Sequence, residues 1–171
     1  MNPFIDRIIR AAKLDIHLYE EVEADKTALG QSMLVVILSS VAAGIGVIAQ
    51  GGIVGILTGT ISALIGWFIW AFLTYIIGTK VLPTPETRAD YGELLRTIGF
   101  SSSPGIIRII GVIPGLVGIV FMVSGIWMLV AMVIAVRQAL DYKSTFRAIG
   151  VCIIGWIVQF IVLVIFFSLF K

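Results

Sequence analysis

The side chains whose types and spacing can do chemistry in this sequence are almost all cations. Arg96, Arg108, Arg137, Lys143 and Arg147 lie at or near the ends of apolar stretches in the second half of the chain. Gathered around one pocket at a membrane face, they would attract anionic lipid headgroups, at about 1 kcal/mol for each cation near the surface. The simpler reading is that they only orient the chain, because cytoplasmic loops are enriched in Lys and Arg. Arg137 and Asp141, four apart, are also spaced to pair with each other on a helix. Catalysis finds little to work with. His17 is the one histidine and Cys152 the one cysteine, so no disulfide can form within the chain. No nucleophile, base and orienting acid fall together, and no metal-ligand spacing occurs. Gly51-Gly52-Ile53-Val54-Gly55 leads to no Lys-Ser/Thr, as a phosphate loop would. The expectation is a non-enzymatic protein with no cofactor. A net charge of +2 is too small to argue for nucleic acid as a partner.

The elements that must position these cations are membrane helices. The chain is 59% hydrophobic and 13% charged, against about 25% charged in soluble domains. No charged residue occurs from Thr27 to Thr79, between Arg108 and Arg137, or between Arg147 and Lys171. About 20 apolar residues cross a hydrocarbon core roughly 30 Å thick, so the first run is long enough to cross twice. The predicted fold is an all-α polytopic bundle with five membrane segments, at about 29–49, 53–77, 94–113, 116–136 and 149–170. Gln50-Gly51-Gly52 is the turn between the first two. Residues 1–28 are expected to form a cytoplasmic amphipathic helix (3–23) and a linker, with Asn2 as cap and Pro3 in the first turn. That helix either lies in the membrane interface or packs under the bundle's own loops. Its early charges, Asp6, Arg7 and Arg10, exclude a cleavable signal peptide.

The third segment is a poor span. Gly99, Ser101, Pro104 and Gly105 break it, Pro114 and Gly115 end it, and Arg108 sits within it. A charge at the bilayer centre costs about 2.5–3.5 kcal/mol on insertion scales, so such residues face protein or water. The prediction is therefore a broken, short or tilted segment sheltered by the others. Charge distribution still favours counting it. With five segments and the N-terminus inside, every Lys and Arg outside the spans except Lys171 falls on the cytoplasmic side. Small residues recur at four-residue spacing in Gly51, Gly55 and Gly59, in Ala42 and Gly46, and in Gly111 and Gly115. Such spacing lets helix backbones approach closely, within the bundle or, as a second reading, in a homo-oligomer or with a membrane-protein partner. Trp67, Trp70, Trp127 and Trp156 are expected to pack against bundle or lipid rather than form an interfacial belt.

Several motifs resemble the YIP domain family, membrane proteins first known as partners of Ypt and Rab small GTPases. They are Tyr91-Gly92-Glu93-Leu94-Leu95-Arg96, Gly99-Phe100-Ser101-Ser102-Ser103-Pro104-Gly105, Ile113-Pro114-Gly115, the Trp127 helix, and Arg137-Gln138-Ala139-Leu140-Asp141 followed by Ser144-Thr145-Phe146-Arg147-Ala148. The likeness covers residues from about 80 to 170 well and the first hairpin loosely. It implies five spans and a cytoplasmic N-terminus, with the shape of the prokaryotic branch and a place in the cell membrane. The Asp-Leu-Tyr-Gly-Pro-like motif of eukaryotic relatives does not occur in the residues before the first span, so Rab binding is not carried over. The function expected is that of a membrane-organising or partner- or lipid-binding protein, with anionic lipid as a candidate ligand. The alternative is a small transporter or channel subunit with its site at the broken third helix.

Overall fold

The computed structural model describes residues 2–169. All regular structure among them is helical: α1 (Pro3–Ala12), α2 (Ile16–Ala24), α3 (Ala28–Gly46), α4 (Ile48–Ile76), α5 (Tyr91–Phe100), α6 (Val117–Ala139) and α7 (Thr145–Leu169). A π-helical turn, Ile77–Val81, extends α4, and a 3-10 helix, Ser103–Val112, follows α5. Among the described residues four helices are long and apolar enough to cross a membrane: α3, α4 with its π extension, α6 and α7. Their outer faces carry exposed Ile53, Leu57 and Ile61 on α4 and Ile119, Met122 and Ile126 on α6. A bundle this apolar on its outside has hydrocarbon as its solvent, and the protein is a multi-pass integral membrane protein.

The first two spans form the predicted hairpin. Gly52 turns the chain with φ 57° and ψ −165°, backbone that glycine adopts without steric cost. On the way back, Ser40 Oγ donates to Thr60 Oγ1 at 3.3 Å. A side chain at Gly44 would come within 3.0 Å of the Ile56 Cα.

The third segment departs from an ordinary span. α5 starts with a capping box, Asp90 accepting from the Glu93 N–H at 2.8 Å and Glu93 from the Asp90 N–H at 2.7 Å. It ends where Ser101 Oγ donates to the Ile98 carbonyl and Ser103 Oγ to that of Phe100, both at 2.7 Å. These hydroxyls take up carbonyls that the end of a helix leaves unpaired. Pro104, which has no N–H to give, opens the 3-10 helix. Ten α-helical and ten 3-10 residues rise about 15 Å and about 20 Å, together as long as a regular membrane helix. The 3-10 winding recovers the length that the break would forfeit. This composite runs parallel to α3, because contacts advance together along both: Gly99 on Ser32, Gly105 on Ser39, and Gly111 with Arg108 on Gly46. A Cβ at Gly99 would lie 2.6 Å from that of Ser32, and one at Gly46 would collide with the Arg108 carbonyl.

The predicted single helix over 3–23 is two helices. Asp15 caps α2, its carboxylate accepting from the His17 N–H at 3.0 Å. Leu14, at φ 62°, closes α1 with the Asp15 N–H on the Arg10 carbonyl at 3.0 Å and its own N–H on that of Ala11 at 3.0 Å. Arg7 and Arg10 then staple the pair through Glu21, Asp25 and Asp15. Leu18, Tyr19 and Val22 are fully buried in a core shared with Phe100 and Ala135. Of the two expectations for this region, α2 takes the packed one.

The end of α6 forms a second left-handed cap. Asp141 adopts φ 53°, and the Tyr142 N–H bonds the Arg137 carbonyl at 2.9 Å. The Tyr142 hydroxyl then sits 2.6 Å from the Leu82 carbonyl and 3.1 Å from that of Gly78. It ties the π extension of α4 to the loop between α6 and α7.

Candidate ligand cavity beside the helical break

A cavity of about 350 Å³ lies between α3, α4, the broken third segment, α6 and α7. Most of these elements bring polar atoms to it, while α6 contributes Met128 and Met132. The break exposes Ser101 and Ser102, α3 supplies Ser39 and Ser40, α7 supplies Gln159, and the 3-10 helix supplies Arg108. Trp67 and Trp70 on α4 and Trp156 on α7 form the aromatic part of its wall, with Trp70 and Trp156 ring centroids 6.4 Å apart.

Arg108 is the cation of this cavity. Its Nε donates to Ser124 Oγ at 2.8 Å, and its guanidinium lies 5.2 Å from the centroid of the Phe121 ring. Among the described residues no carboxylate forms an ion pair with it. Trp67 Nε1 donates to the Leu95 carbonyl at 3.0 Å. Trp70 is 7% exposed, yet its Nε1 has no hydrogen-bond partner among the described residues. A buried indole N–H without an acceptor is uncommon and costs about 1–3 kcal/mol.

The other candidate cations do not meet Arg108. Arg96, 5% exposed, donates Nε to the Val22 carbonyl at 2.9 Å and its guanidinium also bonds the Glu23 carbonyl. It therefore fastens the end of α2 to α5. Arg137 donates to the Tyr142 carbonyl at 3.1 Å and to Thr145 Oγ1 at 3.4 Å. It does not pair with Asp141, whose left-handed position turns it toward the Arg88 N–H at 3.4 Å. Lys143 pairs with Glu86 at 2.7 Å, and Arg147 reaches the Pro83 carbonyl at 3.4 Å.

Arg137 and Lys143 line a separate cavity of about 540 Å³ with Glu20, Glu23, Glu93 and Asp141. There the Glu23 carboxyl is pushed up to about 7, first by burial and then by Asp141 and Glu93, with Arg96 opposing. Of the break residues, Gly99, Ser101, Pro104 and Gly105 are buried around the bend. Pro114 and Gly115 lie exposed at the far turn, beside a recess of about 220 Å³ that also includes Gly46 and Gln50. Gly115 has φ 86° there.

Ser39, Ser40, Trp70 and Gln159 are the site residues that motif reading passes over. Their signal was present: polar side chains inside long apolar runs, which in membranes turn toward the bundle interior. The Gly51, Gly55 and Gly59 series corrects an expectation. A Cβ at any of them meets no other part of the chain within 4 Å, so this series does not pack the bundle. Ala42 and Gly46 lie on the packed side of α3, both buried.

A family model described as Yip1 domain matches residues 19–167. No curated protein matches, and no solved structure matches.

Proposed function

The chain belongs to the Yip1 domain family, and on that premise we propose that it is a non-enzymatic membrane protein that binds an anionic ligand within the bundle. The observation that carries this reading is Arg108, a cation with no ion-pairing carboxylate among the described residues, lining a cavity whose other polar groups include donors. An indole N–H can only donate, and Gln and Ser offer donors too. Charge-assisted hydrogen bonds from a guanidinium are about twice as strong as neutral ones, and oxyanions are the groups that accept them. A lipid headgroup bearing such an oxyanion would satisfy Arg108, with Ser and Gln side chains of the same cavity as further donors.

The proposed topology has five crossings, with the N-terminus in the cytosol and the C-terminus opposite. It is supported by the parallel run of α3 and the third segment and by the distribution of Lys and Arg. Reporter fusions before Pro3 and after Lys171 test it, and both active on one side would refute it.

The functional test is mass spectrometry of lipids retained by the full chain after gentle extraction. Wild type and Arg147→Ala are expected to keep an anionic lipid that Arg108→Ala loses. Equal retention by all three would end the reading. A transporter is the second reading, favoured by a cavity opening beside a broken helix, as in many carriers. Flux of a small anion through proteoliposomes, abolished by Arg108→Ala, would establish it instead.

A further inference from the structure

We infer that the ligand is a single-chain or longer amphiphile, whose oxyanion sits at Arg108 and whose aliphatic chain lies in the groove between α6 and α7. This rests on the anion-binding reading above and adds to it the chemical class of the ligand. The groove, about 170 Å³, is lined by Leu129, Met132, Val133, Cys152, Ile153 and Trp156, all apolar or soft. It adjoins the polar cavity, Met132 and Trp156 lining both. Leu129, Ile153 and Trp156 are also exposed on the outer face, so the groove opens toward hydrocarbon.

The arrangement therefore presents donors at one end and a lipid-accessible apolar channel at the other. A free phosphate or carboxylate ion would use only the first. A chain-bearing anion uses both, and reaches the site sideways from the bilayer. Met132, flexible and polarisable, stands at the joint and can repack around a chain. Sites of this type are mostly apolar, with a few placed polar groups that fix orientation.

The test uses the full chain in detergent micelles and stearate brominated at mid-chain, which quenches tryptophan on contact. Quenching is expected to saturate, to be competed by plain stearate, and to be untouched by acetate or inorganic phosphate. Arg108→Gln should raise the half-saturating concentration about tenfold or more, the loss of one charge-assisted contact. Ile153→Trp, at a half-exposed position that a larger side chain can occupy without entering the core, should fill the groove and abolish saturable quenching. Brominated stearyl alcohol reads simple partition into the micelle. If acetate or phosphate competes as well as stearate, the ligand is a free anion; the groove assignment falls while anion binding stands. If Ile153→Trp leaves stearate binding unchanged, the groove assignment also falls. If the alcohol binds as the acid does and Arg108→Gln is silent, both readings fall.

Discussion

Along α4, a Cβ added at Gly51, Gly55, Gly59 or Gly66 would meet nothing within 4 Å, whereas Gly99, Gly105 and Gly111 of the third segment each have α3 pressed against them. Both stretches are apolar and glycine-rich, and the α4 series has the more regular four-residue spacing. Spacing is therefore not what decides whether glycine seats a neighbouring backbone. The deciding factor is whether the segment needs a close partner. α4 satisfies its own backbone as an α-helix and can face lipid. The third segment, broken at Ser101–Pro104 and carrying Arg108, has to be sheltered, and glycine lets α3 come near enough to shelter it.

The largest effect that could break this comparison is at the seats. Gly46→Leu or Gly105→Leu should destabilise the protein by about 3 kcal/mol or prevent folding, because overpacking against backbone has little room to relax. Thermal unfolding in detergent reads this directly. The mirror substitutions Gly55→Leu and Gly59→Leu should leave the monomer as stable or more so, by up to about 1 kcal/mol each from helix propensity. If they destabilise as much as Gly46→Leu, the two stretches are not different in kind. A loss of oligomers in their hydrodynamic profile, with unfolding unchanged, would show that the α4 series meets another chain.

A smaller effect tests how the third segment is held at its start, where Arg96 grips the end of α2 beside Glu23. The Glu23 carboxyl titrates near 7 in the folded chain, above its ordinary range near 4.5. The folded state thus binds a proton that the unfolded state has released, and stability from this group falls as pH rises between those values. Glu23→Gln should raise the melting temperature at pH 8 and leave it unchanged at pH 4, while Gly59→Leu should show no such pH dependence. The smallest effect is at Leu14, whose φ of 62° is strained for a side chain. Leu14→Gly should gain from a few tenths to about 1 kcal/mol in thermal unfolding, and a loss of stability would show that the Leu14 side chain contributes more than its strain costs.

Much of this architecture is legible in the sequence. Charge-free runs locate α3, α4, α6 and α7, and Gln50-Gly51-Gly52 locates the hairpin turn. The break at Ser101–Gly105 could be read from residues that either lack a backbone donor or compete for carbonyls. Its 3-10 winding could not. Gly105 and Gly111 fall on one face only at three residues per turn, and lie about 120° apart on an α-helix. The signal exists but appears only once the helix type is known. The same holds for the cavity. Arg108 was visible as an intramembrane cation, but gathering it with Arg96, Arg137, Lys143 and Arg147 assumed that cations near helix ends converge. In the fold, most of them are occupied by nearby carbonyls, while Arg108 lines one cavity with Ser39, Trp70 and Gln159, which come from three other helices. Nothing local in sequence marks such a meeting.

The 3-10 winding of Ser103–Val112 also gives the bundle a ruler. Rewinding those ten residues as α-helix would shorten the strut by about 5 Å and swing Gly111 off its seat. Arg108, halfway along, would be dragged round with it. The glycine contacts with α3 thus act as detents: they fix at once the strut's length, the angle at which its guanidinium is presented, and the depth in the bilayer at which that charge lies.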